Sequence, residues 1–144
     1  TEKCEAHPKD LITWTEGKAL VASGSPFSPV TWDNRDIRIG QGNNVYIFPG
    51  VGLGALVAKA RRVSDAMFTV AATRLANCVE QHDLDEGALY PPLNELRDIS
   101  RAIAIDVAMQ AIEDGTAEAA TRDEITARVD AAMWNPAYPE MRRS

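Results

Sequence analysis

The chain has 144 residues, with 15 Lys and Arg against 21 Asp and Glu, for a net charge of −6. Its 45% hydrophobic and 25% charged residues are ordinary globular usage, which excludes a disordered chain and leaves enough apolar mass for a real core. The acidic balance, with no run of four Lys or Arg, argues against nucleic acid and anionic lipid as partners, while small anionic substrates remain open to local groups.

No apolar stretch approaches the roughly 20 residues that span a bilayer, and Thr1-Glu2-Lys3 opens no signal-like core. A cytoplasmic location, with no membrane partner, is expected. Cys4 and Cys78 are the only cysteines and show no CxxC spacing, so reduced, packed thiols are expected rather than a disulfide or zinc site. His7 precedes Pro8 and His82 lies in a polar stretch, neither with a second His at helical spacing, so no metal ligand is assigned.

In chain order, residues 1–15 read as a helix with Thr1 as its cap and Gly17 ending it. The apolar run 18–23, bounded by Gly and Ser, reads as a buried parallel strand, followed by a turn over 24–29. Val30–Trp32 and Ile37–Ile39 flank Asp33-Asn34-Arg35-Asp36 and suggest a small hairpin. Gly40-Gln41-Gly42-Asn43-Asn44 is a polar loop, and Val45–Phe48 another short β run closed by Pro49-Gly50. Residues 51–60, apolar nearly all round, read as a buried helix.

Beyond residue 63 the sequence is Ala-rich and periodic, dividing one domain into a sheet-and-loop part over 1–63 and a helical part over 64–144. Ser64-Asp65 caps a helix whose apolar stripe is Phe68, Ala72, Leu75 and Val79. Leu93, Leu96, Ile99, Ile103 and Val107 mark a second helix, running to Gly115. Thr121-Arg-Asp-Glu124 is a capping box opening a third, with Ile125, Val129 and Ala132 on its inner face and Pro136 stopping it.

Two segments invite a chemical reading. Gly50-Val-Gly-Leu-Gly-Ala55 matches G-x-G-x-x-A, whose glycines let a backbone approach a pyrophosphate at a helix N-terminus. Pro49 before the first Gly, and the lack of a following strand ending in Asp or Glu, favour instead a helix packed closely through its small residues. In the Gly40–Asn44 loop, a neutral carboxamide could grip a substrate carboxylate or hydroxyl, or simply form the turn that Asn favours. No nucleophile and base pair emerges, so no catalytic residue is assigned. Glu80, Asp83, Asp85 and Glu86 read as a solvated acidic loop, Asp33 and Asp36 as turn residues, and Trp14, Trp32 and Trp134 as core or interface anchors.

The succession Trp14-Thr-Glu-Gly17, Ala22-Ser-Gly-Ser-Pro-Phe27, Gly40-Gln-Gly-Asn-Asn-Val-Tyr-Ile-Phe-Pro-Gly50 and Leu89-Tyr-Pro-Pro-Leu93 resembles the C-terminal part of the NAD(P)-binding domain of malic enzymes. The resemblance is strong to about residue 112. It implies an α/β fold, the last part of a Rossmann-like doubly wound domain with a small β-hairpin, followed by a mostly helical half. It also implies oxidation of malate with NAD or NADP and decarboxylation to pyruvate, assisted by Mg²⁺ or Mn²⁺. The family's catalytic tyrosine and lysine, metal carboxylates and dinucleotide glycine motif precede this region, and Thr1 alone represents its Asn-Pro-Thr motif. A fragment, inactive alone, is therefore expected, partnered by the upstream part of the enzyme in a homo-oligomer.

By the same resemblance Asn43 and Asn44 fall at the family's asparagine pair beside substrate and nicotinamide, and orient malate rather than move protons. Asn44, Ser23 and Gly24 are the cofactor-side candidates, the last two following a sheet strand. Two other readings stay open on the residues alone. One is a stand-alone dinucleotide-binding module built on Gly50–Ala55, and the other a helical oligomerisation module.

Overall fold

A computed structural model of the chain describes residues 5–134. The first helix, α1 (Pro8–Trp14), is shorter than residues 1–15 because Pro8 fits only a first turn, and His7 caps it by accepting from the Lys9 amide through Nδ1 at 3.3 Å. Thr1, expected as the cap, and Cys4 lie outside the described residues. Gly17 does end the helix: at φ +76° its amide donates back to Ile12 O at 2.8 Å, and a side chain there would collide with the Trp32 ring.

The strands are brief. β1 (Ala22–Ser23) is the tail of the run expected as a strand over 18–23. β2 (Val30–Trp32) and β3 (Arg35–Ile37) form the hairpin with Asp33 and Asn34 alone in its turn, both at positive φ as a two-residue type I′ connection requires, so β3 begins two residues earlier than expected. β4 (Gly40–Gln41) pairs in parallel with β1, Ala22 opposite Gly40 and Ser23 opposite Gln41. The hairpin thus sits inside the connection between two parallel strands. Ile12, Val21, Ile37 and Ile39 form a small core beneath it.

Val45–Phe48 is not a strand. The Asn43 carboxamide oxygen accepts from the Val45 amide at 3.0 Å and turns Asn44–Tyr46 into one 3₁₀ turn. α2 (Phe48–Ala58) follows, with Pro49 near its start, and stops where Lys59 goes left-handed. α2 buries Gly50, Val51, Gly54 and Ala58, yet Leu56 is 77% exposed, so the expectation of a helix buried all round holds on one side only.

α3 (Asp65–Ala76) is capped by Ser64 as expected, but it buries Met67, Ala71 and Leu75, leaving Phe68 and Ala72 at the surface. The inner stripe is set one residue back from Phe68 and Ala72, since Met67 and Ala71 face α5. A short α4 (Gln81–Asp85), read from sequence as loop, leads to Pro91-Pro92. α5 (Leu96–Glu113) carries Ile99, Ile103 and Val107 into the core, while Leu93 is exposed in a 3₁₀ turn before it. α6 (Arg122–Ala132) opens with the Thr121–Glu124 capping box and buries Ile125 and Val129, but not Ala132. Pro136 lies outside the described residues.

α5 is the axis of the main core, packing on α2, α3 and α6. Each fully buried Ile or Val there contributes roughly 1.5–3 kcal/mol. Asp106, buried on α5, accepts from Arg74 of α3 and from Arg122 Nη2 of α6 at 2.9 Å, tying three helices through one carboxylate. Burial alone would raise its pKa, but the two guanidinium bonds outweigh it and hold the carboxyl below its ordinary value. Ser64 donates to Asp114 while accepting from the Met67 amide at 3.2 Å, which anchors the start of α3 to the end of α5. Trp14 and Trp134 are 70% and 76% exposed, so neither anchors this core, whereas Trp32 packs on the small core. Among the described residues no helix is long and apolar enough to cross a membrane.

Candidate active-site cleft

The parallel pairing of β1 with β4 brings two strand ends together. The Gly42 amide donates to Ser23 O at 2.8 Å, and Gln41 Nε2 reaches Gly24 O at 3.5 Å, so the turn after β1 and the carboxamide loop after β4 lie side by side. Gly42, Asn43 and Asn44 then enter a cleft of about 540 Å³ whose other walls include Ala22, Ile47, Ala72, Ala76, Val79 and Tyr90. Ser23 and Gly24 do not line this cleft. They border it through the Gly42 bond, and Ser23 Oγ accepts from its own turn, from the Ser25 amide at 3.4 Å.

The two asparagines differ. The Asn43 oxygen is held by the Val45 amide, which fixes its side chain and leaves its NH₂ as the free end, so the turn-forming and site-forming readings of Asn43 coexist. Asn44 is exposed, and its carboxamide has no hydrogen-bond partner among the described residues.

Behind the loop lies a support that local sequence patterns do not announce. Asp83, expected in a solvated acidic loop, is 1% exposed and accepts from Arg38 Nη2. A carboxylate is buried only when paired, and this pair joins α4 to the residue just before Ile39 and β4. The same Arg38 nitrogen donates to Tyr90 O at 3.4 Å, and the Arg38 amide donates to Glu86 O at 2.8 Å. Tyr46, 1% exposed, donates its hydroxyl to Pro91 O at 2.6 Å and stacks on Tyr90 with centroids 5.6 Å apart. Burial, partly opposed by Arg38, pushes the Tyr46 phenol above its ordinary pKa, so it remains a donor. Tyr46 and the Tyr-Pro-Pro segment fall in blocks that carry the family resemblance, but neither block announces this chemistry locally.

Gly50–Ala55 does not form a phosphate cradle. It lies inside α2, where a side chain at Gly50 would come within 2.6 Å of Ile103 Cγ2, and one at Gly54 within 2.6 Å of Ala104 O. These glycines let α2 approach α5, and the fingerprint reading falls with the strand that was to precede it. Among the described residues no group of three or more His, Cys, Asp or Glu could hold a metal ion. Cys78 is a free, half-buried thiol whose pKa burial raises, in keeping with a packed cysteine.

Comparison with known proteins agrees with this architecture. The family described as "Malic enzyme, NAD binding domain" matches residues 1–112. NAD-dependent malic enzymes of Psychromonas ingrahamii and Vibrio campbellii are 46% and 45% identical over the whole chain, which spans 26% of each relative's length. The crystal structure of Entamoeba histolytica malic enzyme superposes with a TM-score of 0.67 at 29% identity, covering 88% of this chain and 24% of that one. A family match over more than three quarters of the sequence assigns this chain to the malic enzyme NAD-binding domain family.

Proposed function

We propose that this chain forms part of an enzyme that oxidises and decarboxylates malate to pyruvate and CO₂ while reducing NAD. The observation that carries this is the unpaired Asn44 carboxamide beside Asn43, just past the end of a parallel strand and at the edge of a cleft with an apolar wall. Ligands of open α/β sheets collect beyond the carboxyl ends of their strands. The β1–β4 pair belongs, in this reading, to a larger doubly wound Rossmann-like sheet, since the relatives are about four times as long. The reading includes a cytoplasmic homo-oligomer on family resemblance alone.

The residues present fit the nicotinamide end of NAD or NADP. The cleft lies within the roughly 300–1,000 Å³ of small-molecule sites, and its lining combines the apolar Ile47, Ala72, Ala76 and Val79 with the carboxamides of Asn43 and Asn44. NAD is favoured because the relatives are named for it. The pyrophosphate has no cradle among the described residues, and the donor set for Mg²⁺ or Mn²⁺ is not there either, so no step is derived through a metal.

NAD held here would supply the acceptor for the hydride leaving malate C2. Asn44 donates its NH₂ to malate and sets the face that C2 presents to the ring. Asn43, locked by Val45, adds a second donor at a fixed height. Both groups are neutral, so they hold an anionic substrate without changing the charge of the site. Ser23 and Gly24 border the nicotinamide side, and proton transfer belongs to groups outside this chain.

The test replaces Asn44 with Ala in an intact malic enzyme carrying this segment and follows NADH formation. A bond to a charged substrate group is worth about 1.5–3 kcal/mol, so kcat/KM should fall roughly 10- to 150-fold with unchanged circular dichroism. An unchanged kcat/KM refutes the assignment, as does malate turnover by this chain alone.

A further inference from the structure

The loop that presents Asn43 and Asn44 shares its cleft with one aromatic ring, that of Tyr90. Gly42 faces the Tyr90 side chain: a Cβ built there would be in ordinary contact with it, 3.4 Å from the hydroxyl oxygen and 3.5 Å from Cε2. The ring is gripped from behind, by stacking on the buried Tyr46 and by the bond from the Tyr46 hydroxyl to the next carbonyl, that of Pro91. Its own carbonyl accepts from Arg38, whose guanidinium is held by the buried Asp83. Tyr90 also lines the cleft, and its hydroxyl has no hydrogen-bond partner among the described residues. A residue so firmly held on one side, with its edge toward Gly42 on the other, limits how far that loop can settle.

We propose that Tyr90 is a positioning residue for the reaction, acting through Gly42 to fix the height of the Asn43 and Asn44 carboxamides in the cleft. This rests on the functional reading above. Tyr90 meets the Gly42 position with its hydroxyl and with ring atoms Cε2 and Cζ, and the ring atoms remain when the hydroxyl is removed. Arg38 and Asp83 serve the same end by keeping the Tyr90 backbone in place.

Two readouts test it. In the 144-residue chain labelled with ¹⁵N, Tyr90→Leu shifts the side-chain NH₂ signals of Asn43 and Asn44, while Tyr90→Phe leaves them in place. In an intact malic enzyme carrying this segment, Tyr90→Leu lowers kcat about 10-fold or more with little change in KM, because misplacement of about 1 Å costs up to 10²-fold. In an Asn44→Ala background the same change costs less than about 2-fold, since the two act on one contact. Tyr90→Phe stays within about 2-fold of the parent, as retained ring contact requires. Where Tyr90→Leu fails to fold, Gly42→Val displaces the loop from an intact ring and gives the same shifts and the same kcat loss. Unmoved carboxamide signals, or a Tyr90→Leu loss that is fully additive with Asn44→Ala, overturn this inference alone. An Asn44→Ala enzyme with unimpaired malate turnover overturns the functional reading first, and this inference with it.

Discussion

Replacing Gly54 with Ala, beside the same change at Gly52, separates packing from propensity within one helix. Both positions are interior to α2, and both changes gain roughly 0.5–1 kcal/mol because Ala loses less backbone entropy than Gly. At Gly52 nothing lies within 4 Å of the added methyl, so that gain is the whole effect. At Gly54 the methyl would sit 2.6 Å from the Ala104 carbonyl oxygen and 2.9 Å from Val107 Cβ and Cγ1. A backbone oxygen inside α5 cannot swing aside, so the helices must separate. Overpacking of this kind costs about 1–3 kcal/mol, which offsets and then exceeds the gain. Gly52→Ala should therefore be the more stable of the two variants by roughly 1–3 kcal/mol, or about 2–12 °C in Tm for a chain of this size. Urea titrations followed by circular dichroism, with equal slopes for the two variants, measure the difference directly. Equal midpoints for the two would refute the close approach of α2 to α5.

Two further predictions concern the helical half. The depressed carboxyl of Asp106 stabilises the fold above its unfolded pKa of about 3.9, and that contribution disappears as pH falls toward the folded value. Asp106→Asn should accordingly flatten the acid limb of a stability-versus-pH curve below pH 4, and an unaltered limb would assign acid unfolding to other groups. Thr121→Ala removes the hydroxyl that accepts from the Glu124 amide at 3.3 Å, and should cost about 1 kcal/mol, with faster hydrogen exchange confined to the first turn of α6. Unchanged exchange there would show the cap to be idle.

The helix termini were legible because their signals are local. Ser64, Thr121 and Gly115 each act on amides or carbonyls within a few residues, so a window of sequence contains the whole interaction. Val45–Phe48 misled because β-prone side chains were read without the neighbours that override them, Asn43 capping from one side and Pro49 starting a helix from the other. The inner stripe of α3 slipped because Phe68 and Met67 are both apolar, and only α5 decides between them. At the candidate site, the carboxamide pair is proposed from family resemblance and the loop was legible through its glycines. Its support was not, because Arg38 meets Asp83 and Tyr46 meets Pro91 across 45 residues each, a separation with no periodicity to betray it. An acidic run looks solvated until a distant guanidinium removes one of its members from water.

The dependence of α2 on α5 also bears on how the chain is made. The groove that receives Gly50 and Gly54 belongs to a helix ending at Glu113, which leaves the ribosome 55 residues after Ala58. At about 5–20 residues per second that is a wait on the order of 3–11 s. Throughout it an eleven-residue stretch bearing no charged side chain stands without its mate. Nascent chains stalled between Ala58 and Leu96 should be the ones that holdase chaperones retain, and extension past Glu113 should release them.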